Sequence, residues 1–243
     1  MTRIAILETG HPPEHLKDDF DDYPARFRAL LGEGVPTTRF DVQSGQLPED
    51  PSVFQGAIVT GSAAGVYDDL PWIPQLIDWL RAARGRTRLV GICFGHQALA
   101  HAFGGVVEKS HKGWGVGLHR YDVREDAPWM HPRARTIAIP VSHQDQVVAV
   151  SDDARVIASS AFTPYAGLAW GDDAISFQCH PEFQPDYAAA LIEGRRGARI
   201  PHDVADQAID SLKRPNDRAV LTAWIRAFLL LTPPPVEDDG SGI

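Results

Sequence analysis

The sequence predicts an α/β protein: a doubly wound, mostly parallel sheet with helices on both faces, plus short antiparallel strands. Three observations lead there. Short, continuous apolar runs alternate with helix-period segments from Arg3 to Phe103, as strands buried on both faces alternate with the helices that cover them. One of those runs, Arg88 to Ile92, leads into a tight glycine-flanked turn that opens a helix. The segments that carry reactive side chains all follow strands, and open parallel sheets bind ligands at the carboxyl ends of their strands.

Taken in order, Arg3 to Leu7 reads as the first buried strand, ended by Glu8-Thr9-Gly10 and Pro12-Pro13. Glu14 to Asp22 carries four aspartates and reads as a solvated acidic loop rather than a cation site. Tyr23 to Leu31 has helical spacing through Phe27, Leu30 and Leu31. Strands are expected at Thr37–Val42 and Gly56–Thr60. The glycine-rich turn from Gly61 to Asp69 lacks both the lysine of a phosphate loop and the dinucleotide glycine spacing. Trp72 to Arg84 is an amphipathic helix with Ile73, Leu76, Ile77 and Leu80 on one face.

The organising stretch is Gly91-Ile92-Cys93-Phe94-Gly95-His96-Gln97, between a buried strand and a helix over Ala98–Phe103. For a lone cysteine a buried structural role is the default. Here Gly91 and Gly95 flank Cys93 at a strand-to-helix junction, the arrangement of a nucleophile elbow. The helix N-terminus also favours a thiolate. A nucleophile needs an oriented base. Ile175 to Gln178 reads as a strand, with His180-Pro181-Glu182 at its carboxyl end. Residues two apart in an extended segment point the same way, so Glu182 can hold one imidazole nitrogen while the other faces a thiol. Alone, that tripeptide would read as a surface turn with incidental charges.

Further on, Gly104 to Val107 begins a region of short strands, Lys112 to Gly117 reads as a glycine-rich turn, and His119–Val123 and Arg135–Val141 as strands. His143 reads as a structural hydrogen bonder and His111 as a solvated loop residue. Helices are expected at Tyr187–Ile192, Val204–Leu212 and Arg218–Leu231. The domain is expected to span residues 1–231, with a disordered tail over 232–243, where three prolines, acidic residues and Gly240-Ser241-Gly242 cluster.

The two motifs together, GICFGHQ and the downstream His180-Pro181-Glu182, resemble the class I glutamine amidotransferases, with a flavodoxin-like fold. The resemblance covers roughly Ile4 to Leu230, with specific motifs at three points. It implies Cys93, His180 and Glu182 as a catalytic triad, and backbone N–H groups of Gly61 and Phe94 as the oxyanion hole. It also implies Gln97, Ser142, Gln144 and Asp145 as contacts to the amino-acid end of the substrate. Most family members carry an aromatic residue before the catalytic histidine; here it is Cys179, read as a core residue.

The opening Ile6-Leu7-Glu8-Thr9-Gly10, the helices after Glu182 and the lack of a fused acceptor domain look most like the stand-alone branch that includes γ-glutamyl peptidases. The implied activity is hydrolysis of a γ-glutamyl amide through a thioester. The alternatives are a glutaminase subunit that passes ammonia to a separate synthase partner, and a non-catalytic regulatory module of the same fold.

The net charge of −9 argues against nucleic-acid binding. No apolar run is long enough to span a membrane, and the N-terminus has no signal-peptide pattern. Two cysteines make no disulfide framework, and a free reactive thiol fits a reducing, cytoplasmic setting. The expected ligand is a small γ-glutamyl molecule; no metal or cofactor is expected.

Overall fold

The computed structural model describes residues 3–231, so the tail expected over 232–243 lies outside the described residues. In chain order the elements are β1 (Ile4–Glu8), α1 (Tyr23–Leu31), β2 (Thr37–Asp41), β3 (Gly56–Val59), α2 (Trp72–Ala83), β4 (Arg88–Ile92) and α3 (Phe94–Ala102). Seven strands follow: β5 (Val106–Lys109), β6 (Gly115–Val123), β7 (Thr136–His143), β8 (Asp145–Ala149), β9 (Arg155–Ser159), β10 (Gly167–Trp170) and β11 (Ala174–Phe177). The described chain closes with α4 (Pro185–Glu193), α5 (His202–Ser211) and α6 (Arg218–Phe228).

The main sheet has the order β2-β1-β3-β4-β11-β10-β9-β6-β7. Strands β2 to β11 run parallel. From β11 outward every neighbour is antiparallel. Strands β5 and β8 form a separate antiparallel pair.

Side-chain alternation explains the two helical layers. Ile4, Ile6, Ile58, Val90, Ile92, Ile175 and Phe177 point to one face, where Phe27 and Leu31 of α1 and Leu221, Trp224 and Phe228 of α6 cover them. Ala5, Leu7, Ala57, Val59 and Leu89 point to the other, under Leu76, Ile77 and Leu80 of α2 and Ala98 and Leu99 of α3. Helix α1 is capped by Asp22, whose carboxylate accepts the Ala25 N–H at 2.7 Å, with Pro24 in the first turn where it displaces no hydrogen bond. A third cluster joins Phe183, Tyr187 and Leu191 around α4 to Ala205 and Ala208 of α5 and Val116 of β6.

The expected antiparallel strands are present: β10, β9, β6 and β7 continue the parallel sheet, and β6 is nine residues long. The turn expected over Lys112–Gly117 ends at Trp114, because Gly115-Val116-Gly117 open β6. Gly117, at φ 86°, is the point of close approach to α5: a Cβ there would lie 2.8 Å from Ala208 Cα and O. Strands β8, β9 and β10 escaped the pattern reading; all four residues of β10 are buried, which removes the polar alternation that marks a strand.

Candidate active site

Strand register brings the reactive segments to one level. Val59 of β3 pairs with Gly91 of β4, and Gly91 with Ser176 of β11. The residues that leave these strands, Thr60-Gly61, Cys93 and Gln178 to Glu182, therefore emerge side by side.

Cys93 caps α3 with φ 54° and ψ −102°, a backbone conformation that side-chain-bearing residues rarely adopt. Two neighbouring strands hold it there: the Cys93 N–H donates to Phe177 O at 2.9 Å, and the Gly95 N–H to Thr60 O at 3.2 Å. The flanking glycines are demanded by space. A Cβ on Gly91 would lie 2.3 Å from Gly95 O, and one on Gly95 2.3 Å from Val59 O. The helix begins at Phe94 rather than Ala98, since the elbow needs only Cys93 out of helical conformation.

His180 Nδ1 lies 2.7 Å from Glu182 Oε1, both side chains being nearly inaccessible. The pair meets through a turn rather than along an extended strand: the Phe183 N–H donates to His180 O at 3.3 Å. Pro181, with its fixed φ, suits the second position of such a turn. The imidazole stacks on the Phe183 ring at 3.8 Å between centroids and 6° between planes. Burial disfavours the imidazolium, but the Glu182 carboxylate and the Cys93 sulfur outweigh it and push the His180 pKa up to about 10. With Nδ1 engaged by Glu182, Nε2 is left for the sulfur.

Gly61 is packed against both groups: a Cβ on it would lie 3.1 Å from His180 Cε1 and 3.8 Å from Cys93 Cβ. Among the described residues, the N–H groups of Gly61 and Phe94 have no acceptor. Cys179, the departure from the aromatic pattern, is buried in the core, and burial raises its thiol pKa well above the usual value. His143 is buried with Nδ1 3.2 Å from Asp145 O, and burial lowers its pKa to about 3. His111 is exposed.

Cys93 sits where two lobes of one cleft meet. One lobe, of about 420 Å³, includes His180, Tyr23, Phe183, Arg195 and Arg199. The other, of about 350 Å³, includes Gln97, Gln144, Asp145, Asp68 and Lys109. Ser62, Ala63, Ser142 and both arginines line the two together. All four expected substrate contacts thus border the cleft, but three side chains are already engaged, that of Asp145 by the Tyr67 hydroxyl. Gln97 Nε2 donates to Asp145 O at 2.9 Å and to Gln178 Oε1 at 3.2 Å. Ser142 Oγ accepts from Arg195 Nη1 at 2.6 Å.

Sequence reading missed Gln178, whose amide lies 3.7 Å from Cys93 Sγ; its place one residue past a strand that abuts the elbow was the available signal. It also missed Tyr23, at the start of α1, and Arg195 and Arg199, which reach the cleft from the segment after α4. Among the described residues no group of three or more His, Cys, Asp or Glu is placed to hold a metal. No helix among them is long and apolar enough to cross a membrane.

A cysteine at a strained strand-to-helix turn beside a buried His–Glu pair, at the carboxyl edge of a doubly wound sheet, places the chain among α/β proteins with a nucleophile-elbow geometry. The family follows from comparison: residues 27–193 match the glutamine amidotransferase class-I model, and the chain belongs to that family. It is 25% identical to γ-glutamyl peptidase 2 of Arabidopsis thaliana, over 88% of this chain and 90% of that protein. It is 33% identical to the glutamine-hydrolysing GMP synthase of Thermomicrobium roseum over 75% of this chain, which spans only 35% of that protein. In fold it is similar to a glutamine amidotransferase of Thermotoga maritima (TM-score 0.71, 18% identity, covering 94% of this chain and 96% of that one). Family and relatives together support a hydrolase of the glutamine amidotransferase type.

Proposed function

We propose that this protein hydrolyses γ-glutamyl amide bonds through a γ-glutamyl thioester. The observation that carries the reading is the convergence on one cleft of Cys93, Gly61 and His180, the last held by Glu182, with the N–H groups of Gly61 and Phe94 lacking an acceptor among the described residues. Cys93 Sγ attacks the γ-carbonyl carbon. The oxygen that takes the charge is held by the Gly61 and Phe94 N–H groups, a contribution of about 10²–10³ in rate per donor in comparable sites. His180, held protonated by Glu182 and the sulfur, gives its proton to the leaving nitrogen as the C–N bond breaks. Water then attacks the thioester, His180 takes a proton from it, glutamate departs and the sulfur is restored. Gln178, against the sulfur, fixes its position.

The test is glutamate release by the isolated protein from glutamine, γ-glutamyl dipeptides and γ-glutamyl amines, each with Cys93→Ala as control. Cys93-dependent turnover is expected. Equal release by Cys93→Ala would remove the thioester route.

The match to a GMP synthase supports a second reading, a glutaminase whose ammonia goes to a separate synthase subunit. That reading requires slow glutaminase activity in isolation and stimulation by a co-purifying partner.

A further inference from the structure

The two lobes of the cleft differ in charge. The lobe that contains His180 has no aspartate or glutamate in its lining, whereas the lobe that contains Gln97 has Asp68, Asp145 and Lys109; Arg195 and Arg199 line both. Both guanidinium groups thus face the carboxylate-free lobe as well as its neighbour. Arg195 is partly buried, donates to Ser142 Oγ and lies 5.1 Å from the Trp114 ring centre. Neither Arg195 nor Arg199 makes an ion pair among the described residues. Arg196 between them is engaged by Glu193 and Asp206. Burial and the nearby Arg199 charge both lower the Arg195 pKa. Two like charges held together in a cleft without a counter-ion are relieved by an anionic ligand, and a carboxylate matches a guanidinium in shape.

The direction of the substrate follows from the proton donor. The scissile carbon lies at Cys93, shared by both lobes, and the leaving nitrogen must lie at His180, which borders only the carboxylate-free lobe. The leaving group therefore occupies that lobe, and the glutamyl ammonium finds Asp68 and Asp145 in the other.

We infer that Arg195 and Arg199 bind a carboxylate carried by the leaving group, so that the preferred substrates are γ-glutamyl amino acids or peptides rather than glutamine or γ-glutamyl amines. This rests on the hydrolase reading above. It also separates two sources of one chemistry, because the same arginines could meet the α-carboxylate of the glutamyl part.

The experiment compares kcat/KM for γ-glutamylglycine, its neutral amide γ-glutamylglycinamide, and glutamine, in the wild-type protein and in Arg195→Gln and Arg199→Gln. The expected wild-type preference for γ-glutamylglycine over its amide is at least about tenfold, the scale of a hydrogen-bonded charge pair. Each variant is expected to shrink that ratio severalfold or more, chiefly through KM. Arg199 is exposed, so its replacement leaves the packing intact even if Arg195→Gln fails to fold. Equal wild-type turnover of acid and amide overturns the inference and leaves the hydrolase reading in place. Equal losses on all three substrates assign the arginines to the α-carboxylate and also overturn it. No Cys93-dependent turnover of any of the three overturns both.

Discussion

Replacing Glu182 by Gln tests the electrostatic core of the site. The rise of the His180 pKa from 6.5 to about 10 corresponds to about 5 kcal/mol in favour of the imidazolium. Burial works against that rise, so the carboxylate and the sulfur supply more than the net figure, and the Glu182 charge is the largest single contribution that raises it. Glutamine keeps an oxygen that can accept from Nδ1 but removes the charge. Even a third of the net rise exceeds about one pK unit. The proton needed by the leaving nitrogen is then lost at lower pH, and the imidazolium no longer balances the sulfur. We expect kcat to fall by about 10²–10⁴, the range for a positioned general acid and base. The alkaline limb of the activity profile should move down by more than about one unit, because that limb reports the acid. The assay is glutamate release from the best γ-glutamyl substrate between about pH 5 and about pH 11. A Glu182→Gln protein within about twofold of wild type, with an unmoved alkaline limb, would refute the reasoning.

Four further outcomes are expected. Gly95→Ala places a methyl group 2.3 Å from Val59 O; unfolding in urea should show a loss of about 1–3 kcal/mol or more, together with loss of turnover. Cys93→Gly should be more stable than Cys93→Ala by about 1 kcal/mol in the same assay, because only glycine adopts φ 54° without strain; equal stability would remove the strain. Gln178→Leu keeps the volume but withdraws the amide from Cys93 Sγ and from Gln97; kcat should fall about tenfold, as for loss of one buried polar contact.

The fourth concerns stability in acid. Burial lowers the pKa of His96 to about 3, of His119 to about 4 and of His143 to about 3. Groups with lowered folded pKa take up protons first in the unfolded chain, so stability falls as pH drops below about 6.5, by about 1.4 kcal/mol per pH unit per group. The favourable contribution of His180, whose pKa is raised, is already complete in that window. Replacing His96 by Gln should flatten the acid side of a plot of Tm against pH; an unchanged slope would deny His96 a neutral, buried native state.

What could be read from the sequence follows physical rules of short range. The parallel strands announce themselves because β1, β3 and β4 are continuous apolar runs. Cys93 is marked by the two glycines that its turn requires, and that requirement is local. The partnership of Cys93 with His180 was legible only through the motif pair, since nothing local in either segment encodes the pairing of β4 with β11. Strand β10 has no polar face to give it a period. Arg195 and Arg199 look like any surface arginines until the segment after α4 brings them to the cleft, and Gln178 gains its role only from the register that sets it beside the sulfur. Side chains whose roles depend on long-range closure leave no trace in composition or spacing.

Strand β11 lies between β4 and β10, at the seam where the sheet changes from parallel to antiparallel. It is also the last strand of the sheet in the chain, and it carries Gln178, His180 and Glu182 at its end. As the chain leaves the ribosome, Cys93 is made more than eighty residues before the groups that activate it. Until Ala174–Phe177 dock, β4 has one edge without a partner and the Cys93 N–H has no Phe177 carbonyl to hold it in the elbow. On the mechanism proposed above, the thiol meets its activating groups only when this last strand docks, and release of glutamate would report that β4 and β11 have paired.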